Sequence, residues 1–185
     1  LRLAPVRMVM LANPNQPTGT LLDESALAEI VAEAERRDTL VVMDEAYHLF
    51  TPHTALEHIH RHANVIVVRT FSKAFGLAGL RIGYCVAAPE RIRELMLLRP
   101  VTDANSLALK CAEYVLDHLD WMTARIADFV AGRDFLYGEM RRAGIVTYPS
   151  HTNFLLIRCG SLDQSREALA EIRCRGYLLK GATRP

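Results

Sequence analysis

Paired cysteines are the first thing this sequence lacks. Its four cysteines, Cys85, Cys111, Cys159 and Cys174, lie far apart with no C-x-x-C pair. That argues against a disulfide framework and predicts free or buried thiols in a reducing compartment. A dominant charge is missing too: 22 Lys and Arg stand against 21 Asp and Glu, a net charge of +1, and no basic stripe suits nucleic acid. No apolar run is long enough to span a bilayer, because Arg7, Asp44 and Arg69 bound the most hydrophobic stretches. Neither an initiator Met nor a targeting signal is present. The chain opens just before a strand-like run at Val6 and stops at Arg184-Pro185, so it reads as a fragment with a cytoplasmic location expected. Internal repeats and low-complexity segments are absent.

What is there reads as a globular α/β chain, with 50% apolar and 23% charged residues. Apolar runs at Val6–Ala12, Thr39–Met43, Val65–Val68 and Ile82–Ala87 predict four buried strands. Between the first two, Leu27, Ile30, Val31 and Ala34 mark one face of a helix from Asp23 to Arg37. Glu24 in its first turn and Arg36-Arg37 in its last suit the helix dipole. Shorter helices are expected over His53–His62 and Glu90–Leu98. Leu107, Cys111 and Val115 mark another stripe. Met122, Ile126, Phe129, Leu136 and Met140 mark a long helix that Gly144 ends, its seam interrupted by Arg133. Strands at Ile145–Tyr148, Phe154–Ile157 and Tyr177–Leu179 and a helix at Ser165–Arg175 complete the pattern. Continuously apolar strands separated by helices predict a three-layer α/β/α arrangement around a mostly parallel sheet. We expect this unit over residues 1–100, connecting helices over 101–143, and the start of a smaller α/β domain over 144–185.

Three polar clusters each follow a predicted strand: Asn13-Pro14-Asn15-Gln16-Pro17-Thr18-Gly19, Asp44-Glu45-Ala46-Tyr47 and Thr70-Phe71-Ser72-Lys73. In open α/β sheets the ligand crevice lies at the carboxyl ends of the strands, so the three are expected to meet. Asp44 closes an apolar strand and needs a cationic partner. Lys73 among Phe71, Ala74, Phe75 and Leu77 is expected in apolar surroundings that favour a neutral, nucleophilic amine. Thr70 and Ser72 offer hydroxyls, and Arg81 a planar fork suited to a phosphate dianion. Gly76 and Gly79 are expected to let the chain turn tightly between Lys73 and Arg81. Each cluster alone has a plainer reading as cap, turn or solvated lysine; their order and their places at strand ends favour a site.

Taken together, these blocks resemble the class I and II aminotransferases, pyridoxal-phosphate enzymes of fold type I. Within them the chain is most similar to the histidinol-phosphate aminotransferases. The most specific block is Arg69-Thr70-Phe71-Ser72-Lys73-Ala74-Phe75-Gly76-Leu77-Ala78-Gly79-Leu80-Arg81-Ile82-Gly83-Tyr84, and Thr152-Asn153-Phe154 looks like the family's later Asn-aromatic strand. The resemblance implies pyridoxal 5'-phosphate as cofactor, with Lys73 carrying it and Asp44 partnering its ring nitrogen. It implies Tyr47 and either Asn15 or Gln16 at the phenolic oxygen, and Thr70, Ser72 and Arg81 at the phosphate. Asn153 would face the substrate carboxylate. Lys180, where the family tends to place an arginine, would keep the charge toward a substrate phosphate without the bidentate fork. The arginine that grips the α-carboxylate would lie beyond Pro185. An amino donor, a 2-oxo acid acceptor and a homodimer are implied. A decarboxylase of an amino acid phosphate and an inactive binding fragment are the alternatives.

The remaining candidates have plain readings. His58-x-His60-x-His62 reads as surface helix histidines, and no metal is expected. Gly76-x-x-Gly79 lacks the first glycine of a dinucleotide fingerprint. Tyr114 and Trp121 read as packing residues, and His48 and His151 as possible cleft linings.

Overall fold

A computed structural model describes residues 6–181 apart from 99 and 101–103. The chain end at Arg184-Pro185 lies outside the described residues. The order is β1 (Met8–Ala12), α1 (Glu24–Arg36), β2 (Leu40–Asp44), α2 (Leu56–Ile59), β3 (Val65–Thr70), β4 (Gly83–Ala87), α3 (Pro89–Leu97), α4 (Ser106–Asp117), α5 (Leu119–Arg142), β5 (Thr147–Tyr148), β6 (Leu156–Ile157) and α6 (Leu162–Cys174). Strands β1 to β4 form one sheet in sequential order. β1, β2 and β3 run parallel, and β4 returns antiparallel with Thr70 opposite Gly83. The fold is therefore α/β with a mostly parallel sheet.

Local chemistry explains the frame. Asp23 caps α1 by accepting from the Ser25 amide, and Asn105 caps α4 by accepting from Ala108. Leu27, Val31 and Ala34 of α1 bury against Val41 and Met43 of β2 and Val65 and Val67 of β3. Alternation then turns Met10, Val42, Asp44, Ile66 and Val68 to the opposite face. A second cluster seats Phe71, Phe75 and Ile82 on Ala108 and Ala112 of α4 and Met122 of α5. The segment that follows β3 thus rests on a helical platform.

Several expectations change. β1 and β4 are not buried strands: Met8 and Met10 are 51% and 64% exposed, and Gly83, Tyr84 and Cys85 are exposed too, because both strands lie at the edges of the described sheet. Tyr177–Leu179 forms no strand, for no neighbouring edge pairs with it, and all three side chains are exposed. In α4 the buried positions are Ala108 and Ala112, while Leu107 is exposed; in α5 only Met122 is buried, and Phe129 and Leu136 are exposed. Trp121 is exposed, and Tyr114, also exposed, packs by stacking on His118 with ring centroids 4.1 Å apart. The cysteines are free, but three of them are exposed and Cys111 is half-buried. His58 and His62 are not bare surface histidines: they pair with Glu24 and Glu35 at opposite ends of α1, at 2.9 and 2.8 Å. No group of three or more potential metal ligands, and no helix long and apolar enough to cross a membrane, occurs among the described residues.

Candidate active site

The ends of β1, β2 and β3 deliver the three polar clusters side by side. The Asn13 amide donates to the Asp44 carbonyl, and the Glu45 amide to the Val68 carbonyl, so the parallel ladder runs right up to the loops. The Asn13 side chain accepts from the Leu22 amide and pins the first loop from inside. Gly19, at φ +75°, packs against Ser150, and the His151 amide donates to the Gly19 carbonyl at 2.8 Å. The late turn before Asn153 is thereby docked on the Pro-Thr-Gly loop. Arg133, the break in the apolar seam of α5, holds that turn by donating to the Thr152 carbonyl at 2.9 Å.

Tyr47 is the meeting point. Its hydroxyl donates to Oε1 of Gln16 at 3.1 Å. Its ring meets Phe154 edge-on at 5.4 Å, and the Lys73 ammonium lies 5.3 Å from its centroid. Asn15 instead donates to the Thr18 hydroxyl at 2.7 Å. The carboxamide that reaches Tyr47 is thus that of Gln16. Asp44 is half-buried and accepts from the Ala46 amide at 3.0 Å through one oxygen. Thr70 accepts from the Ser72 amide at 3.0 Å, and Arg81 donates to the Ser72 hydroxyl at 3.5 Å and to the Ala78 carbonyl at 3.0 Å.

Two site expectations need correction. Lys73 is exposed: Phe71 and Phe75 turn away from the amine into the cluster on α4 and α5, so its apolar sequence neighbours do not enclose it. Gly76 has the left-handed φ of +70°, but Gly79 sits in a single 3-10 turn, and the second left-handed residue is Arg81 itself, at φ +53°. A non-glycine there is strained, which the site geometry must hold in place. Asn153 is exposed and lines a groove of about 510 Å³ with Phe129, Arg133 and Leu136 of α5. Lys180 is exposed in an irregular stretch and makes no hydrogen bond or ion pair with the cluster.

Sequence reading passed over one component. Glu45, only 1% exposed, accepts from Arg69 through Nε at 3.0 Å and Nη2 at 2.8 Å, from the Thr54 hydroxyl, and from the Ala55 amide. The available signal was alternation: a second acid directly after Asp44 must face the other side of the sheet, where Arg69 of the next strand faces too. His48, beside this pair, is held down to about 4 by burial and by the Arg69 charge. His151 is lowered by burial, Arg133 and His53, with Asp134 opposing.

A mostly parallel α/β sheet with polar clusters at its strand ends sets the class of protein by fold, and the chain belongs to the aminotransferase class I and II family, whose pattern matches residues 2–180. It is 43% identical over 152 residues to histidinol-phosphate aminotransferase 1 of Burkholderia lata, covering 82% of this chain and 42% of that one. Among solved structures it is similar to histidinol-phosphate aminotransferase from Sinorhizobium meliloti in complex with pyridoxal-5'-phosphate, with TM-score 0.80, 29% identity, and 96% and 50% of the two chains covered. It is also similar to L-threonine-O-3-phosphate decarboxylase from Porphyromonas gingivalis, with TM-score 0.75, 27% identity, and 95% and 55% covered. The chain spans about half the length of the curated relatives it matches.

Proposed function

We propose that this chain is the cofactor-binding part of a pyridoxal-phosphate-dependent aminotransferase. It would move an amino group between an amino acid or amino alcohol phosphate, of the histidinol-phosphate kind, and a 2-oxo acid. The observation that carries the reading is the donor set at the strand ends. Among the described residues the Lys73 amine forms no hydrogen bond or ion pair, and its ring contact is with Tyr47, 5.3 Å from the centroid. Among the described residues Arg81 bonds a hydroxyl and a carbonyl and no carboxylate, and Asp44 keeps one carboxylate oxygen without a donor. Free cationic donors beside hydroxyls suit a phosphate, and a half-buried acid suits a protonated ring nitrogen. The residues fit pyridoxal phosphate.

When bound, that cofactor supplies an electron sink for the pair left at a substrate α-carbon. Lys73 would hold the cofactor covalently and then carry the proton to and from the substrate α-carbon. Asp44 would keep the ring nitrogen protonated. Gln16 would donate its amide nitrogen to the phenolic oxygen, and the Tyr47 hydroxyl, which donates to Gln16 in this structure, would turn from it to donate there as well; Asn15 would hold the loop through Thr18. Thr70, Ser72 and Arg81 would bind the phosphate. Asn153 would face the substrate, and Lys180 would supply a positive charge toward its far end. We also propose a homodimer in the cytoplasm; the exposed Leu107, Trp121 and Phe129 supply apolar surface for association. Residues 1–100, 101–143 and 144–185 are proposed as large domain, connecting helices and start of the small domain.

The test is cofactor uptake by the intact gene product, wild type against Lys73→Ala. After borohydride reduction, the wild-type peptide containing Lys73 should gain the mass of the reduced cofactor and the variant should not. Wild-type protein that takes up no pyridoxal phosphate would sink the reading. The likeness to the Porphyromonas decarboxylase favours a second reaction, loss of carbon dioxide from an amino acid phosphate. Carbon dioxide released without any 2-oxo acid would select it; amino transfer to an added 2-oxo acid would select the first.

A further inference from the structure

The side chains of the buried pair Glu45–Arg69 hydrogen-bond to none of the side chains assigned to the cofactor, yet each partner is the chain neighbour of one of them, Glu45 of Asp44 and Arg69 of Thr70. Asp44 ends β2 and Glu45 is the first residue beyond it, still bonded through its amide to the Val68 carbonyl, so the two side chains leave the chain on opposite faces. The parallel ladder between β2 and β3 ends at the Glu45 amide and the Val68 carbonyl. Beyond it, the Glu45 carboxylate takes both donors of the Arg69 fork from the neighbouring strand, and the Thr54 hydroxyl lies within reach of both partners, 3.0 Å from Glu45 and 2.7 Å from Arg69. Arg69 is held from its other side as the register partner of Tyr84 in β4. The next residue, Thr70, opens the loop that carries Ser72 and Lys73.

We infer that Glu45 and Arg69 are positioning residues: a buried ion pair that fixes the strand end bearing Asp44 against the loop bearing Lys73. This rests on reading Asp44 and Lys73 as cofactor contacts. A bidentate pair is directional, so it sets an angle between the two strand ends as well as a distance. Both partners are nearly buried, with 1% and 10% of their side chains exposed, so water cannot replace either one. If the pair loosens, Asp44 and Lys73 no longer address the same ligand from fixed places.

The experiment uses the cofactor-loaded intact protein as wild type, Glu45→Gln, Thr54→Val and, as a stability control, Val31→Ala. Val31 is fully buried in α1 and belongs to the core rather than the site. Two quantities are read: the dissociation constant of pyridoxal phosphate, and the pH midpoint of the bound cofactor's absorbance band. Glu45→Gln should weaken cofactor binding about tenfold and move the midpoint by about half a pH unit. Thr54→Val, which keeps both charges, should shift both in the same direction by less. Val31→Ala should lose thermal stability and leave both unchanged. If Glu45→Gln does not fold, Thr54→Val and Arg69→Lys carry the comparison. Site variants that match the control in both quantities at equal loss of stability would overturn the inference. A wild type without any cofactor band would instead overturn the reading on which it rests.

Discussion

The Tyr47 hydroxyl and the Gln16 carboxamide meet at 3.1 Å across two different strand ends. Because Tyr47 donates to the amide oxygen, the amide nitrogen of Gln16 remains as a donor. Asn15, by contrast, is committed to Thr18 within its own loop. We predict that Gln16→Ala weakens pyridoxal phosphate binding by about 1 kcal/mol, the net worth of one hydrogen bond. Asn15→Ala should cost loop stability and leave cofactor affinity closer to wild type. A fluorescence titration of both variants checks this; the reverse order would make Asn15 the contact.

Gly19 and Gly132 should respond oppositely to alanine. At Gly19 a Cβ would strike the Ser150 hydroxyl, its Cβ at 2.7 Å and its Cα at 3.0 Å, on a backbone already at φ +75°. Gly19→Ala should destabilise by about 2 kcal/mol or more and loosen the turn that carries Asn153. Gly132 lies within α5 with open space where its Cβ would stand. Gly132→Ala should stabilise by about 1 kcal/mol. Paired thermal melts decide both.

His48 makes stability depend on acid. Its folded value is about 4 against an ordinary 6.5, so between these values the unfolded chain binds a proton that the folded chain refuses. Stability from this group is complete above about 6.5 and is lost as the pH falls toward 4. His48→Asn should flatten the decline in unfolding free energy over that window, by about 2 kcal/mol at its acid end after allowance for partial solvation, as read by chemical denaturation at each pH. An unchanged slope would show that other groups govern it.

His58 ties α2 to the first turn of α1 through Glu24. His58→Ala removes that bond and leaves space in a buried position, so a loss of about 2 kcal/mol is expected. Glu24→Gln, which keeps a hydrogen-bond acceptor, should lose less. Chemical denaturation of the two variants compares them.

The parallel core was readable because Val41, Met43, Val65 and Val67 form short apolar runs closed by polar residues, and such runs have few structural options. α1 was readable from its stripe and its Asp23 cap. The direction of β4 was not readable, since antiparallel return depends on pairing with β3 and composition carries no sign of it. Nor does an apolar run say whether a strand lies at an edge, hence the exposed Met10. The Glu45–Arg69 pair spans two strands and was hidden behind its neighbour Asp44, whose chemistry was easier to name. Lys73 shows the opposite failure: its sequence neighbours are apolar, but their side chains leave on the other side of the loop.

Thr70 lies opposite Gly83 because β4 doubles back on β3. Residues 71–82 are therefore a hairpin loop whose two feet are locked in register, and Arg81 stands just before the returning foot. Adding or removing a single residue in β4 would turn its side chains to the wrong face. The loop that carries Lys73 works as a fixed-length gauge: natural or engineered variants can change its composition, but a change in its length must be absorbed before Ile82 or the hydroxyl and guanidinium ends of the cluster will part.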